Sequence, residues 1–499
     1  MLFERTILRE DLIRCALCED APCTAACGQL PVAKILRSVW FDDEKVAAAR
    51  LPERLPCVSC SAHCESACVR PREVPIWKLM MRLHGRVKPE LEVDLPQGDD
   101  LLKTDLCGIP LESPFLLSSS VVASTYDMCA RAFEAGWAGA AFKTICSFDI
   151  HEASPRFSAI TGDNGTIVGF KNVEQLSDHS VAENMEIFRR LKQDFPTKFI
   201  LASIMGQNEA EWEELSRLCE ENGADAIELN FSCPNMMDDG LGSDIGQVPE
   251  LVERFTAAAR RGTSIPILAK LTPNVAAMSP AAEAARRGGA DGIAAINTIK
   301  SIIGVNPHTY VSAPAVRGMS AVGGYSGNAV KPIALRFIAE LGKNPKLQGL
   351  HVSAMGGIET WRDALEFIHL GAGSIQVTTA VMQYGYRIID DLKAGLAYYL
   401  AEKGFGSVKE ARGLALDSIS ETTDVLERDT VVFPKFHREK CIGCGRCVIS
   451  CADGGHQAIR LDEDRRPILD GKKCVGCHLC VLVCPQRAIS SSRKRIQRK

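Results

Sequence analysis

The sequence predicts an α/β protein: a (β/α)8 TIM barrel over residues 113–400, with a cysteine-rich domain on either side. Three observations lead there. Eight short apolar or β-branched runs alternate with helical patterns through the middle of the chain. The 21 cysteines are concentrated in two blocks, Cys15 to Cys68 and Cys441 to Cys484, with only Cys107, Cys129, Cys146, Cys219 and Cys233 between them. The second block repeats one spacing twice.

Composition bounds the rest. With 499 residues, 46% hydrophobic, the chain can build a large core, divided among roughly two to four domains. A net charge of −4 supplies no field for nucleic acid or a membrane surface. The first residues, with Glu4, Arg5, Arg9, Glu10 and Asp11, lack the apolar stretch of a signal peptide. No apolar run reaches the roughly 18 residues of a spanning helix. A soluble cytoplasmic protein is expected.

Residues 1–90 hold Cys15, Cys18, Cys23, Cys27, Cys57, Cys60, Cys64 and Cys68, with helical stretches at 32–40 and 43–50 between them. Eight thiolates make two sets of four, and four suit one 4Fe–4S cluster. Structural zinc is the alternative at this spacing. Residues 91–112 read as a linker with turn chemistry at Leu95-Pro96-Gln97-Gly98-Asp99-Asp100, then a lead-in hairpin at 106–111.

The barrel strands are expected at 115–119, 138–144, 199–205, 225–231, 266–271, 291–297, 350–354 and 373–378. Helices are expected at 126–136, 209–222, 249–260, 280–288, 332–341 and 360–371. A doubly wound sheet is the competing arrangement. In a barrel, chemistry sits on loops at the carboxyl ends of the strands. Those ends carry Ser119, Lys143, Thr144, Asn230, Ser232, Cys233, Lys270, Asn297, Thr298, Gly356, Gly357, Thr378 and Thr379. A lysine ending a buried strand must meet an anion or a polarised carbonyl, and Lys143 and Lys270 are both so placed. Gly356-Gly357 after strand seven and Thr378-Thr379 after strand eight occupy the usual phosphate position of such barrels. FMN fits that arrangement, whereas a mere tight turn would explain the glycines alone. The Cys233 thiol, beside amides and a hydroxyl at the end of strand four, is a candidate acid–base; the bland alternative is a small buried hydrophobe. The four other central cysteines keep that bland reading.

Residues 401–436 read as a helical connector. Residues 437–490 then contain Cys441-x-x-Cys444-x-x-Cys447-x-x-x-Cys451 and Cys474-x-x-Cys477-x-x-Cys480-x-x-x-Cys484. This is the two-cluster pattern of bacterial ferredoxins, in which the fourth cysteine of each run serves the other cluster. The expected sets are Cys441, Cys444, Cys447, Cys484 and Cys474, Cys477, Cys480, Cys451. Ala452 stands where the first run would usually have proline. Residues 491–499 read as a basic solvated tail, or one that docks a partner. The nearest approach to a dinucleotide fingerprint, Gly371-Ala372-Gly373-Ser374, follows a helix and precedes a strand, the wrong order for a Rossmann turn. Electrons must therefore cross to another protein.

From Pro114 onward the chain resembles dihydropyrimidine dehydrogenases, both the catalytic subunit of the bacterial NAD-dependent form and the C-terminal part of the long single-chain form. The stretches that carry this are Phe133 to Trp137, Phe142-Lys143-Thr144, Glu228 to Pro234, Ala269 to Asn274, Gly288 to Gly292 and Gly323 to Gly327. The barrel is also similar to dihydroorotate dehydrogenases. Residues 15–27 resemble the helical iron–sulfur domain of the long form and of the glutamate synthase small subunit. The resemblance implies FMN, four 4Fe–4S clusters and Cys233 as general acid–base. It implies Asn172, Glu174, Asn230, Asn297 and Thr298 around the pyrimidine, with Ser232 beside them. It implies flavin contacts at Ser119, Lys143, Thr144, Lys270, Gly324, Gly356, Gly357, Thr378 and Thr379. One N-terminal cluster would take Cys15, Cys18, Cys23 and Cys68. The other would take Cys27, Cys60, Cys64 and a fourth ligand, Cys57 standing in for a family glutamine absent around 79–81. The implied activity interconverts uracil or thymine with its 5,6-dihydro form, with electrons exchanged with an FAD- and NAD(P)H-binding flavoprotein in a homo- or hetero-oligomer. Reduction of orotate or another cyclic amide, and a pure electron-relay role, are the competing readings.

Overall fold

A computed structural model describes residues 11–86, 99–162, 165–236 and 241–497. The signal-free stretch at 1–10, residues 95–98 of the turn and the last two residues of the tail lie outside them. The chain divides into two units, Met1–Ile419 and Ser420–Lys499.

In the first unit, eight parallel strands close a barrel: Phe115–Leu117, Gly139–Ala141, Phe199–Ile204, Ala226–Asn230, Ile267–Lys270, Gly292–Ala295, His351–Ala354 and Ser374–Val377. They pair in chain order, the last returning to the first through Val377 against Leu117. Every residue of these strands is buried, which is why they read as mostly apolar runs. The expected helices are all present. Each presents apolar residues at helical spacing to the barrel, as Trp212, Leu215 and Cys219 do in helix Glu209–Glu221.

Two elements were not anticipated. Helix Val181–Asp194 fills the gap between strands two and three, opened by a capping box of Ser180 and Glu183. A four-stranded antiparallel sheet stands beside the barrel, in the order Ile299–Ser301, Gly323–Ser326, Ile167–Asn172, Phe157–Thr161. Its strands come from the loops after barrel strands two and six, so it walls the carboxyl end of the barrel. Gly169 makes room there for the Tyr325 ring, since a Cβ would fall 1.8 Å from its hydroxyl and the ring would have to move. A hairpin of Thr104–Leu106 and Ile109–Leu111 leads into the barrel, as expected.

Residues 11–86 do not form a separate body. Their helices, including Val32–Trp40 and Glu44–Ala49, share one continuous hydrophobic core with the barrel. Arg37 binds Asp391 at 2.5 Å and Asp390 at 3.1 Å on helix Ile388–Lys403. The Ser38 hydroxyl donates to Asp391 at 3.0 Å, and the Trp361 indole N–H donates to the Asp42 carbonyl at 3.3 Å.

In the second unit, strand Thr430–Phe436 pairs antiparallel with Ile489–Gln497. The expected helical connector thus ends in a strand, and the expected free tail is its partner. Three serines followed by three cations let residues 490–497 pair on one edge while most of their side chains stay exposed, so their charge masked a strand. Helices Arg446–Gly454 and Leu479–Leu482 and the small ladder of Ile459–Leu461 with Pro467–Leu469 complete the unit.

Candidate functional site

Strand four ends at Asn230, and its amide organises the barrel mouth. The Nδ2 group donates to Thr144 Oγ1 at 2.8 Å, while Oδ1 accepts from the Ser232 amide at 3.2 Å and hydroxyl at 2.7 Å. Thr144 also meets Ser119 at 3.2 Å and Ser203 at 2.9 Å. Asn297 donates to the Ser232 hydroxyl at 2.8 Å. Ser232 thus spends its polar capacity holding two amides.

A cavity of about 1120 Å³ opens over these groups. It brings together Ser119, Lys143, Thr144, Asn172, Glu174, Asn230, Cys233, Lys270, Asn297, Thr298, Gly356, Gly357, Thr378 and Thr379. Two expected contacts are not in its wall. Ser232 is fully buried behind it. Gly324 accepts the Asn172 amide at 3.3 Å, and a Cβ there would fall 2.2 Å from Thr298 Oγ1, so its role is to let those two side chains close in.

Each lysine has a carboxylate partner. Lys270 binds Glu228 at 3.1 Å, both buried, and the second Glu228 oxygen accepts from Gln376 at 3.1 Å. Lys143 binds Glu152 and Glu174, each at 3.1 Å, and Arg156 closes on the other Glu174 oxygen. Burial outweighs these cations at Glu174 and raises its carboxyl above the usual range. Glu152, Arg156, Gln175, Asn235 and Gln376 are site residues that the sequence reading missed. Gln376, a polar residue inside a buried strand, gave the same signal as the lysines. Glu152 and Arg156 sit on an irregular loop with no periodicity to mark them.

The Cys233 thiol is buried, and desolvation pushes it up to about 11. The Asn235 backbone N–H, Lys270 and Lys143 pull the other way, and Glu152 adds to the rise. The thiol is therefore neutral at neutral pH, a proton donor rather than a nucleophile.

The cavity fits a flat heterocycle with N–H groups and a phosphate. Gln175 Oε1, Asn235 Oδ1 and Gln376 Oε1 are buried acceptors with no donor among the described residues, and all three residues line it. Gly356 and Gly357 have φ of +121° and +79°, and a Cβ on Gly357 would stand 2.8 Å from the Lys331 amide nitrogen. Beside them Thr379 donates to Ser326 at 3.0 Å, and Thr378 meets Ser120 at 3.1 Å. Replacing Gly357 with alanine is expected to destabilise the loop by about 1–3 kcal/mol. Flavin content after gel filtration should fall; unchanged content would show that the loop does not hold the cofactor.

The thiols gather as well. Cys441, Cys444, Cys447 and Cys484 line a cavity of about 400 Å³. Burial raises Cys474 and Cys480; Cys477 and Cys451 add to the first, and Cys477, Cys447, Cys474 and Cys451 add to the second. Backbone N–H groups of Gly443, Ala458 and Ala488 point at the sulfurs of Cys441, Cys451 and Cys484 at 3.4, 3.3 and 3.2 Å. At the other end, Cys15, Cys18, Cys23 and Cys68 line a cavity of about 710 Å³. Burial raises Cys57, and the neighbouring Cys27 and Cys60 add to it; Cys64 is raised likewise, with Cys27 and Cys57 contributing. Cys57 therefore stands with Cys27, Cys60 and Cys64. Cys129 and Cys219 are plain core residues.

Comparisons with known proteins agree with this architecture. The dihydroorotate dehydrogenase family matches residues 101–400, and a 4Fe–4S dicluster domain matches 435–490. The Escherichia coli K12 NAD-dependent dihydropyrimidine dehydrogenase subunit PreA is 52% identical over 365 residues, 73% of this chain and 89% of the relative. The chloroplastic dihydropyrimidine dehydrogenase (NADP(+)) of Arabidopsis thaliana is 34% identical over 68% of this chain and 82% of its own. The catalytic subunit of dihydroorotate dehydrogenase B (NAD(+)) from Pyrococcus abyssi is 38% identical over 63% of this chain and 99% of its own. A barrel whose mouth gathers these groups, followed by a dicluster module, places the chain in the dihydroorotate dehydrogenase family.

Proposed function

We propose that this chain is the FMN- and iron–sulfur-dependent catalytic subunit of a dihydropyrimidine dehydrogenase, interconverting uracil or thymine with the 5,6-dihydro compound. It is an oxidoreductase acting on a CH–CH bond. The observation that carries the reading is the buried Cys233 thiol in one cavity with Asn172, Asn230, Asn297 and Thr298. When bound, FMN would supply and accept the hydride and would convert pairs of electrons to single ones for the clusters. Ser119, Lys143, Thr144, Lys270, Gly356, Gly357, Thr378 and Thr379 would hold it.

The chain's own groups do the remainder. Asparagine amides both donate and accept, matching the two carbonyls and two N–H groups of a pyrimidine. Ser232 fixes Asn230 and Asn297 in orientation. Cys233 delivers a proton to one ring carbon during reduction and removes it during oxidation. Burial keeps bulk water from protonating the ring in its place.

We assign two clusters to the C-terminal unit and two to residues 11–86. The thiol quartets Cys15, Cys18, Cys23, Cys68 and Cys27, Cys57, Cys60, Cys64 are the supporting observation. The redox partner is a flavoprotein carrying FAD and NAD(P)H sites, in a homo- or hetero-oligomeric assembly. A cytoplasmic setting follows from sixteen thiols kept reduced for clusters.

Dihydrouracil added without air should bleach the flavin absorbance of the purified protein. Bleaching by dihydroorotate alone would move the substrate to the carboxylated ring, and no bleaching by any dihydropyrimidine would favour an electron relay. The pH profile is a second check. The protonated thiol is the active form in reduction, so kcat/KM for uracil should be flat through neutral pH and fall above about 11. Oxidation uses the thiolate and should rise toward the same pH. An inflection near the free-thiol value of about 8.5 would mean that the thiol is not desolvated in the working enzyme.

A further inference from the structure

Two cations stand in the wall of the mouth cavity among the described residues, Lys143 and Lys270. Each is already matched. Lys270 has Glu228 at 3.1 Å. Lys143 lies between two carboxylates, Glu152 and Glu174, each at 3.1 Å. The side chains of Lys143, Glu152 and Glu174 are only 7%, 8% and 11% exposed. Arg156 closes on the far oxygen of Glu174, so two positive and two negative charges cancel. All four lie on one stretch of chain, between barrel strands Gly139–Ala141 and Phe199–Ile204. Glu174 is in the cavity wall and Glu152 is not. The backbone fixes Glu152 as well: its two oxygens accept the Gln175 N–H at 3.0 and 3.2 Å.

The uncharged groups beside them are biased the same way. Both hydrogens of the Asn235 side-chain amide are committed, to Asn172 Oδ1 at 3.1 Å and to the Glu174 carbonyl at 2.7 Å. Two acceptors are not: Asn235 Oδ1 and Gln175 Oε1 are buried with no donor among the described residues. An ammonium has three hydrogens, and the two carboxylates leave Lys143 one, for the flavin contact assigned above. A wall rich in acceptors and short of donors suits the N–H groups of a neutral ring. A ring carboxylate brings acceptors only, and an ionised one is costly to bury without a counter-charge. To gain one it would have to take Lys143 from Glu152 or Glu174, which strands a buried carboxylate in its place.

We infer that Glu152 is a positioning residue that sets substrate specificity through Lys143. By sharing the ammonium with Glu174, it confines the site to uncharged rings such as uracil and thymine and turns away the carboxylated ring of orotate. The inference rests on the dihydropyrimidine reading proposed above and narrows its substrate class. The selection is made by charge rather than by bulk.

The test titrates the oxidised, flavin-loaded holoprotein with uracil, with orotate and with orotamide, the uncharged amide of orotate, and reads the shift in flavin absorbance. Orotate and orotamide have nearly the same shape, so they separate charge from size. The parent should bind orotamide roughly tenfold or more tighter than orotate, the worth of one extra charge a few ångströms from a matched set. Equal binding of the two would show that charge is not what is read, and would overturn the inference without any variant. Glu152→Gln keeps an acceptor for the Gln175 N–H and removes the charge. It should tighten orotate relative to uracil by roughly tenfold or more. Anaerobic bleaching of the flavin by dihydroorotate should likewise gain on bleaching by dihydrouracil. Glu152→Asp, which keeps the charge, should hold both ratios near the parent values. A merely structural role would weaken both ligands alike. An unchanged ratio in Glu152→Gln therefore sinks the inference while the dihydropyrimidine reading stands. Bleaching of the parent by dihydroorotate and not by dihydrouracil defeats both.

Discussion

Replacing Cys233 with alanine is expected to lower turnover of uracil by about 10²–10⁴-fold, the usual worth of a positioned general acid. Flavin content and thermal midpoint should hardly change. The thiol is a small group in a cavity wall that accepts the Asn235 backbone N–H, and the Asn230–Ser232–Asn297 network is closed without it. Hydride transfer would proceed only as fast as water could bring a proton to a buried ring. Stopped-flow reduction of the flavin by dihydrouracil separates the effects, because substrate affinity should survive while the rate collapses. Equal rates for the variant and the parent would take the thiol out of the reaction. Serine at 233 should rescue little, since a hydroxyl titrates far above a thiol and desolvation raises it further.

The second large effect concerns stability. Glu228→Gln should destabilise the barrel by about 3–5 kcal/mol, the typical result of stranding one member of a buried ion pair. Lys270 is almost wholly buried, and Glu228 is its carboxylate partner at 3.1 Å. Glutamine keeps the shape but leaves the ammonium without its counter-charge. Flavin-free protein should unfold at markedly lower temperature or urea concentration. A double variant, Glu228→Leu with Lys270→Met, should regain most of the loss, because an apolar pair of similar volume needs no compensation. A single variant as stable as the parent would mean that Lys270 leaves the pair or gives up its proton.

The barrel was legible because strands buried on both faces are written mostly in apolar residues, as Phe115–Leu117 and Phe199–Ile204 are. Where such a run ended in Lys270 or Asn230, the break in pattern was itself the signal for the site. Helix Val181–Asp194 was readable from Ser180 and Glu183, spaced as a capping box, but polar residues diluted its apolar stripe. The four-stranded sheet was not readable. Its strands pair residues near 170 with residues near 325, and nothing local in either segment records a partner so distant. Ser232 and Gly324 were expected at the cavity wall because they adjoin residues that are there. Only their hydrogen bonds and the space around them place both residues behind the cavity wall. The N-terminal thiols illustrate the same limit. Spacing counts eight of them, whereas only the fold brings Cys57 near Cys27 and Cys60.

The C-terminal unit begins and finishes on neighbouring strands, Thr430–Phe436 and Ile489–Gln497. Such a piece behaves as a cassette: both of its chain ends emerge at one margin of a small sheet, so it can be spliced onto a host gene without internal rearrangement. The same geometry makes Ile489–Gln497 indispensable to the cassette. A stop codon before Ile489, or a purification handle that fouls that margin, would strip one edge from the sheet and expose the cysteine loops to oxygen.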